Sequence, residues 1–368
     1  MCLTTEIMNS TQSPKVLVAV LNWGIGHASR CVPLINELQK AGKEVVVFSD
    51  GIALEFLIQQ FPGIEYSRIP SYNIRYTGKV LLFEMFFQLP NIAWSAFKEK
   101  QMLRKWLKKN PCELLFSDNR LGCFSKSVPS YYISHQLNIQ AGFFGSFASF
   151  CHFLFYRNFR LIIVPDQRGE GGLSGILSKP FSKSTKTIAC GIWSRFESQE
   201  APTINTKKHI LILLSGPEPA RSQWEQEILS QIIKEKSDQF ILVRGTKGNE
   251  IKEIPENLLV YDLIGSAVLQ KLVLTAEGVI CRSGYSTLMD LAVLKSKVFA
   301  VPTPGQTEQI YLAQYHAKQN HLKSGNQKQF SLRNAVNELR NGQFGFPEVQ
   351  KANFKELLSS LSQSKGDR

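Results

Sequence analysis

The stretch Cys281-Arg-Ser-Gly-Tyr-Ser-Thr-Leu-Met-Asp290 gathers an arginine, several hydroxyls and a carboxylate where an apolar run gives way to a helix-compatible segment. Gly278-Val-Ile-Cys281 reads as a strand, Arg282-Ser283-Gly284 as a tight turn, and Ser286 with Thr287 as the first turn of a helix. Free backbone N–H groups and the positive end of the helix dipole make such a junction an anion site. Asp290 follows Thr287 by three residues, within reach of a sugar hydroxyl. Val301-Pro-Thr-Pro-Gly-Gln-Thr-Glu-Gln309 then brings Gln306, Glu308 and Gln309 to the end of the next strand. One compact unit thus addresses a diphosphate and a polyol, which points to a nucleotide-sugar site.

The first half of the chain offers a second kind of chemistry. Asn22-Trp-Gly-Ile-Gly-His-Ala-Ser-Arg30 reads as a turn after a strand, with Gly24 and Gly26 allowing tight geometry and His27 at the helix start. A dinucleotide fingerprint needs a third glycine where Ser29 stands, so NAD loses ground. A neutral His27 can take a proton from an attacking hydroxyl; the alternative is a histidine that only caps the helix. Asp50, at the end of the second strand, is a weak ribose candidate. Asp118-Asn119-Arg120 ends another strand: Asp118 could orient His27 or hold an acceptor hydroxyl, and Arg120 could bind an acceptor anion. An Asx turn with a surface arginine explains the same residues. His135 occupies a similar place, whereas His152, His209, His316 and His321 read as structural.

Ser215-Gly216 opens the first turn of the second half, where glycine permits close approach and Ser215 can donate to phosphate, although Pro217 and Pro219 stiffen it. Arg244 ends the following strand and could neutralise a diphosphate, since a guanidinium fork suits phosphate oxygens; a surface arginine is the plainer reading. No Asp-x-Asp sequence, metal-ligand spacing or Gly-x-Ser-x-Gly elbow is present, so metal-dependent catalysis and a serine nucleophile find no support.

The elements that must position these residues alternate. Short apolar strands (Val16–Leu21, Glu44–Ser49, Glu65–Ile69, Glu113–Ser117, Ser130–Ser134, Arg160–Pro165) are separated by helix-length segments, and a second series starts at Lys208. This is the pattern of two α/β, doubly wound, Rossmann-like domains facing a cleft, with ligand at the carboxyl ends of the strands. The expected divisions are a leader (residues 1–14), an acceptor-binding domain (15–166), a Gly/Ser-rich linker (167–206), a nucleotide-sugar-binding domain (207–340) and a helical tail (341–368) frayed from Ser359.

The 368 residues suit two domains, and seven cysteines without a Cys-x-x-Cys pair fit a reducing cytoplasm. No run reaches the length of a membrane span. The net charge of +13 favours anionic partners, but no nucleic-acid-binding signature is present. Lys79–Lys109 places Val-Leu-Leu-Phe-Glu-Met-Phe-Phe and Ile-Ala-Trp-Ser-Ala-Phe beside a run of lysines and arginines. Such a helix could seat on the inner, anionic face of a membrane; a core helix with a solvated end is the alternative.

Gly24-Ile-Gly-His27 and Arg282-Ser-Gly-Tyr-Ser-Thr-Leu-Met-Asp290 resemble the GT-B glycosyltransferases, in particular family 28, from about Lys15 to Tyr315. The resemblance implies a UDP-sugar held mainly by the second domain, an acceptor in the first, inversion at the anomeric carbon, and no bound cofactor or metal. Arg282, Ser283, Gly284, Ser286 and Thr287 match the diphosphate and sugar-contacting turn. Asp290 stands where that family usually has glutamate for the ribose, Glu308 and Gln309 match the pair that holds donor-sugar hydroxyls, and Ser215-Gly216 starts a normally glycine-rich loop. His27 matches the proposed base, with Gly26 beside it at the donor, and Asn119, Arg120 and His135 fall on the acceptor side. The implied reaction transfers a hexosyl group to a lipid-linked or glycan acceptor. Gly24-Ile-Gly-His-Ala-Ser-Arg-Cys31 also resembles the UDP-sugar hydrolase of pseudaminic acid synthesis, in which water is the acceptor. The aromatic first domain, with Tyr72, Tyr76 and Phe83–Trp94, favours transfer. A non-catalytic nucleotide-sugar-binding protein on the same fold is the third reading.

Overall fold

The computed structural model describes residues 14–72, 81–140, 145–167, 172–197, 209–216, 218–246 and 253–363, with 142, 169 and 251 between them. The expected leader up to residue 13, Tyr76, Pro217, residues 198–208 of the crossover stretch and residues 364–368 lie outside these, as do the side chains of residues 81–87.

The first sheet has seven parallel strands: β1 (Lys15–Val20), β2 (Val45–Ser49), β3 (Glu65–Arg68), β4 (Cys112–Asp118), β5 (Ser130–Ile133), β6 (Leu161–Val164) and β7 (Thr187–Ala189), in the order β3-β2-β1-β4-β5-β6-β7. The second has six: β8 (His209–Leu213), β9 (Phe240–Val243), β10 (Leu258–Tyr261), β11 (Ala276–Cys281), β12 (Val298–Ala300) and β13 (Lys323–Ser324), in the order β10-β9-β8-β11-β12-β13. Both orders reverse beside the first strand of their domain, which opens a crevice at the strand ends. Near-continuous burial of β1 and β2 reflects helices on both sheet faces.

Helix α1 (Gly26–Lys40) and helix α2 (Gly51–Gln60) follow β1 and β2. Helix α3 (Leu81–Leu107) is the long basic segment, and α4 (Gly145–Tyr156) precedes β6. In the second half, α5 (Ala220–Ile232), α6 (Ser266–Thr275), α7 (Tyr285–Val293), α8 (Thr307–Lys318) and α9 (Leu332–Asn341) surround the sheet, and α10 (Phe354–Gln363) closes the described chain. Among the described residues no helix is long and apolar enough to cross a membrane.

Two segments differ from the expectation. The Gly/Ser-rich stretch read as a linker contributes β7 to the edge of the first sheet, and Asp166 ties its loop by accepting from the backbone N–H groups of Gln167, Leu173 and Ser174. A three-residue edge strand leaves too short an apolar run to stand out from its composition. The tail, expected to fray from Ser359, continues as α10, which returns to α1 of the first domain and buries Leu357 and Leu361 in the shared core. Its short apolar stripe, Leu357 and Leu361 at i and i+4, draws its order from that partner, since ten residues are too few for a stable isolated helix.

The loop after β4 is pressed onto α3. A Cβ on Gly122 would stand 1.9 Å from the Ala96 carbonyl oxygen, a backbone atom that cannot swing aside. Gly122→Ala should therefore lower unfolding stability by about 1–3 kcal/mol, measured by denaturant titration; an unchanged midpoint would contradict this packing.

Candidate active site

The crevice between the domains holds a cavity of about 530 Å³. Its chemistry starts with helical and strand periodicity. His27, Arg30 and Cys31 lie at i, i+3 and i+4 on one face of α1. Along β4, Phe116 and Asp118 share the face turned to that helix, so Asp118 meets all three. Arg30 grips the carboxylate with two hydrogen bonds of 2.5 Å, from Nε to Oδ2 and from Nη2 to Oδ1. His27 Nδ1 stands 2.6 Å from Asp118 Oδ1 and 2.8 Å from Arg30 Nη2. Nδ1 thus lies between a group that only accepts and one that only donates; with its proton directed to Asp118, the nearer of the two, Nε2 keeps a lone pair for another proton.

Electrostatics favour a neutral imidazole. Burial of His27, with the charge of Arg30, outweighs the pull of Asp118 and lowers its pKa below 6.5. For Asp118, burial alone would favour the acid, yet Arg30 and His27 hold it well below the usual carboxylate range. His135 extends the cluster: Arg30 Nη1 donates to its Nδ1 at 2.7 Å, and its Nε2 lies 3.0 Å from Glu308 Oε1 of the second domain.

Of the expected site residues, Gly26, His27, Asn119 and His135 line the cleft from the first domain. Ser215, Gly216, Gly284, Ser286, Thr287, Asp290, Gln306, Glu308 and Gln309 line it from the second. Asp118 is fully buried behind His27. Gly216 has φ +104° and so needs glycine, and a Cβ on Gly26 would come within 3.4 Å of Ser286 Oγ, which lets the domains meet closely. The N-termini of α1, α7 and α8 all open into the cleft.

Five expected contacts face elsewhere. Arg120 is fully buried, pairs with Glu99 and Asp50 and donates to the Val20 and Pro70 carbonyls, so it is a strut and not an acceptor contact. The same pair takes Asp50 out of the ribose role. Arg244 lies on the face of β9 that carries Leu242, where Glu225 and Asp262 engage it. Arg282 continues the face of Ile280, stacks 3.9 Å from the Trp224 ring centroid and donates to Val301 and Pro302 carbonyls. Ser283 is buried and donates to the Gln309 carbonyl oxygen, bracing the first turn of α8. Alternation across a strand decides Arg244 and Arg282, which continue the faces of Leu242 and Ile280, and the neighbours Val243, Gly245 and Gly284 line the cleft instead.

Sequence reasoning missed one pair outright and, of an apolar wall, all but the part within Phe83–Trp94. Arg195 lines the cleft and donates through Nε to Asp290 Oδ2 at 3.0 Å, while Ser194 Oγ donates to Oδ1 at 2.7 Å. Asp290 is thus one half of a pair rather than a bare carboxylate; no spacing signal joins residues so distant in sequence. Trp23, Leu89, Ile92, Leu121, Phe147 and Phe155 form the apolar wall on the first-domain side. His152, read as structural, also lines this side; it bonds Tyr132, and burial lowers its pKa to about 4. Among the described residues no group of three or more His, Cys, Asp or Glu could hold a metal ion.

No protein-family model matches the chain. It is 22% identical over 326 residues, 80% of its length and 81% of the relative's, to an uncharacterized glycosyltransferase of Methanosarcina mazei. Among solved structures it is similar to the spinosyn rhamnosyltransferase SpnG complexed with thymidine diphosphate, with TM-score 0.60 at 16% identity over 95% of both chains. It is also similar to Acinetobacter baumannii MurG, with TM-score 0.54 at 15% identity over 95% of this chain and 100% of that one.

Histidine NMR titration should place the His27 pKa below 6.5, and lower still in Asp118→Asn, because the carboxylate is what raises it. A wild-type value above 6.5, or an upward shift in the variant, would contradict this electrostatic account. By fold the chain has the GT-B architecture of two facing Rossmann-like domains, and its relatives are glycosyltransferases.

Proposed function

We propose that this chain is an inverting, metal-independent glycosyltransferase of the family 28 kind, moving a hexosyl group from a nucleotide-sugar to a hydroxyl on an apolar, lipid-linked acceptor. The observation that carries this reading is the His27–Asp118 pair set between a first-domain wall of apolar side chains and a second-domain wall of hydroxyls and helix N-termini.

In the proposed reaction His27 Nε2 takes the acceptor proton as the acceptor oxygen attacks the anomeric carbon. The bond from that carbon to the diphosphate oxygen breaks on the opposite face, and its electron pair leaves with the nucleoside diphosphate. Ser286, Thr287 and the free N–H groups at the start of α7 oppose the growing negative charge, with Ser215 and Gly216 across from them. The imidazolium is held by Asp118 until its proton is released. Arg195 and Asp290 together address the ribose, and Glu308 with Gln309 the donor sugar. The uridine nucleotide rests on the family 28 resemblance, while SpnG was solved with thymidine diphosphate, so both are candidates. Water as acceptor would need no apolar wall beside His27, which favours transfer over hydrolysis.

The outer faces of the same helices support a membrane-borne acceptor. Trp94 and Phe97 on α3, and Phe150 and Leu154 on α4, are exposed, while Ile92 and Phe155 of these helices line the cleft. Lys98 lies over Trp94, and Arg104 and Lys105 follow on α3. An anionic surface would meet apolar and basic side chains together.

Calorimetry with UDP and TDP, then product analysis of a UDP- or TDP-sugar with and without lipid extract, tests the reading. A new glycolipid and free nucleoside diphosphate are expected. Free sugar without added acceptor would mean a hydrolase, and binding without turnover a non-catalytic protein. His27→Ala should cut turnover by about 10²–10⁴-fold with donor affinity retained; near-normal turnover removes His27 from the mechanism. Trp94→Ser with Phe97→Ser should weaken sedimentation with phosphatidylglycerol vesicles, and unchanged sedimentation would discard the membrane contact.

A further inference from the structure

The buried guanidinium of Arg30 has one arm that the base pair does not use. Its Nε and Nη2 serve Asp118, and Nη1 donates to His135 Nδ1 at 2.7 Å. Arginine can only donate, so Nδ1 of His135 must accept and its Nε2 carries the proton that goes to Glu308 Oε1 at 3.0 Å. The donor direction Arg30 to His135 to Glu308 is therefore fixed by chemistry. The chain also crosses the cleft: Arg30 is on α1, His135 follows β5, and Glu308 is in the first turn of α8. The second domain holds His135 a second way, because Tyr285 stacks on its ring with centroids 4.1 Å apart and planes 5° from parallel. Tyr285 itself donates back to the Pro165 carbonyl of the first domain.

We propose that Arg30, His135 and Glu308 form an interdomain latch that makes the alignment of His27 depend on closure of the cleft. With the second domain seated, Glu308 and Tyr285 hold His135, His135 holds the third arm of Arg30, and Arg30 holds Asp118 and His27 in register. With the cleft open, His135 loses both second-domain contacts and the Arg30 fork is free to rotate off the base pair. Base and donor site are then assembled together, and an acceptor hydroxyl is not activated before the donor sugar is enclosed. Arg30 and His135 are positioning residues in this scheme. It rests on the transferase reading only for what His27 does, and its test needs no substrate, so the two can fail separately.

Two measurements on the full chain test the latch. Spin labels on azide-bearing residues at the exposed Lys109 and Lys234 report the distance between the domains without touching the native cysteines. Nitrogen NMR of labelled histidines reports the tautomer of His27. His135→Phe keeps a ring for Tyr285 but removes both hydrogen bonds; it should raise the open-to-closed ratio by about tenfold, the scale of one hydrogen bond to a charged group. It should also admit the Nε2–H tautomer of His27. Glu308→Ala should open the cleft similarly, and the double variant no further than the larger single, because both remove one shared bond. His135→Gln, whose amide can accept from Arg30 and donate to Glu308, should restore both signals in part. A distance distribution or a His27 resonance that stays at its wild-type position in His135→Phe overturns the proposal, as do additive effects in the double variant.

Discussion

A carboxylate with no solvent exposure needs a counter-charge, and the site is built on the pair that Asp118 makes with Arg30. Asp118 ends β4 facing α1, and Arg30 supplies a planar fork that meets both of its oxygens. Removing one member of such a buried pair costs about 3–5 kcal/mol, since the other charge is left without water or counterion. The pair therefore fixes where α1 sits on the sheet, and the helix start at Gly26–His27 is carried into place with it. It also bears on protonation: Arg30 keeps Asp118 ionised, while burial first and Arg30 second hold the His27 pKa below its ordinary value against the pull of Asp118.

The two walls of the cleft differ because different elements make them. Helix starts α7 and α8 and the turn at Ser215–Gly216 offer N–H groups and hydroxyls, which suit negative charge that grows as a bond breaks. Helices α3 and α4 offer apolar side chains, some turned inward to the cavity and others outward to solvent. His27 stands where the walls meet, and in the proposed reaction it takes a proton from a group seated in one while the other absorbs charge.

The architecture was legible because apolar strands and amphipathic helices alternate, and that pattern survives without any knowledge of packing. His27, Asp118, Ser286, Thr287 and Glu308 were legible for a related reason: each sits at a strand end or helix start, where this fold places ligands. Being next to such an end was not sufficient. Arg244 and Arg282 each follow a strand, yet one step of alternation turns them to α5 and Trp224, away from the cleft. Arg120 follows Asn119, whose φ of +53° redirects the chain into a buried pocket with Glu99 and Asp50. The Arg195–Asp290 pair and the Arg30–His135–Glu308 chain join residues remote in sequence, so only the folded arrangement brings them together. The short strand β7 and the return of α10 onto α1 were hidden likewise, because each draws its stability from a distant partner.

The most direct measurement is a crystal structure of the protein grown with UDP or TDP. The account predicts the diphosphate against the start of α7, between Ser286–Thr287 and Ser215–Gly216, with the ribose toward Asp290 and Arg195. A diphosphate bound instead at Gly24–Gly26 of the first domain, or lodged against Trp23 and Phe155, would contradict the division of the cleft on which the account stands.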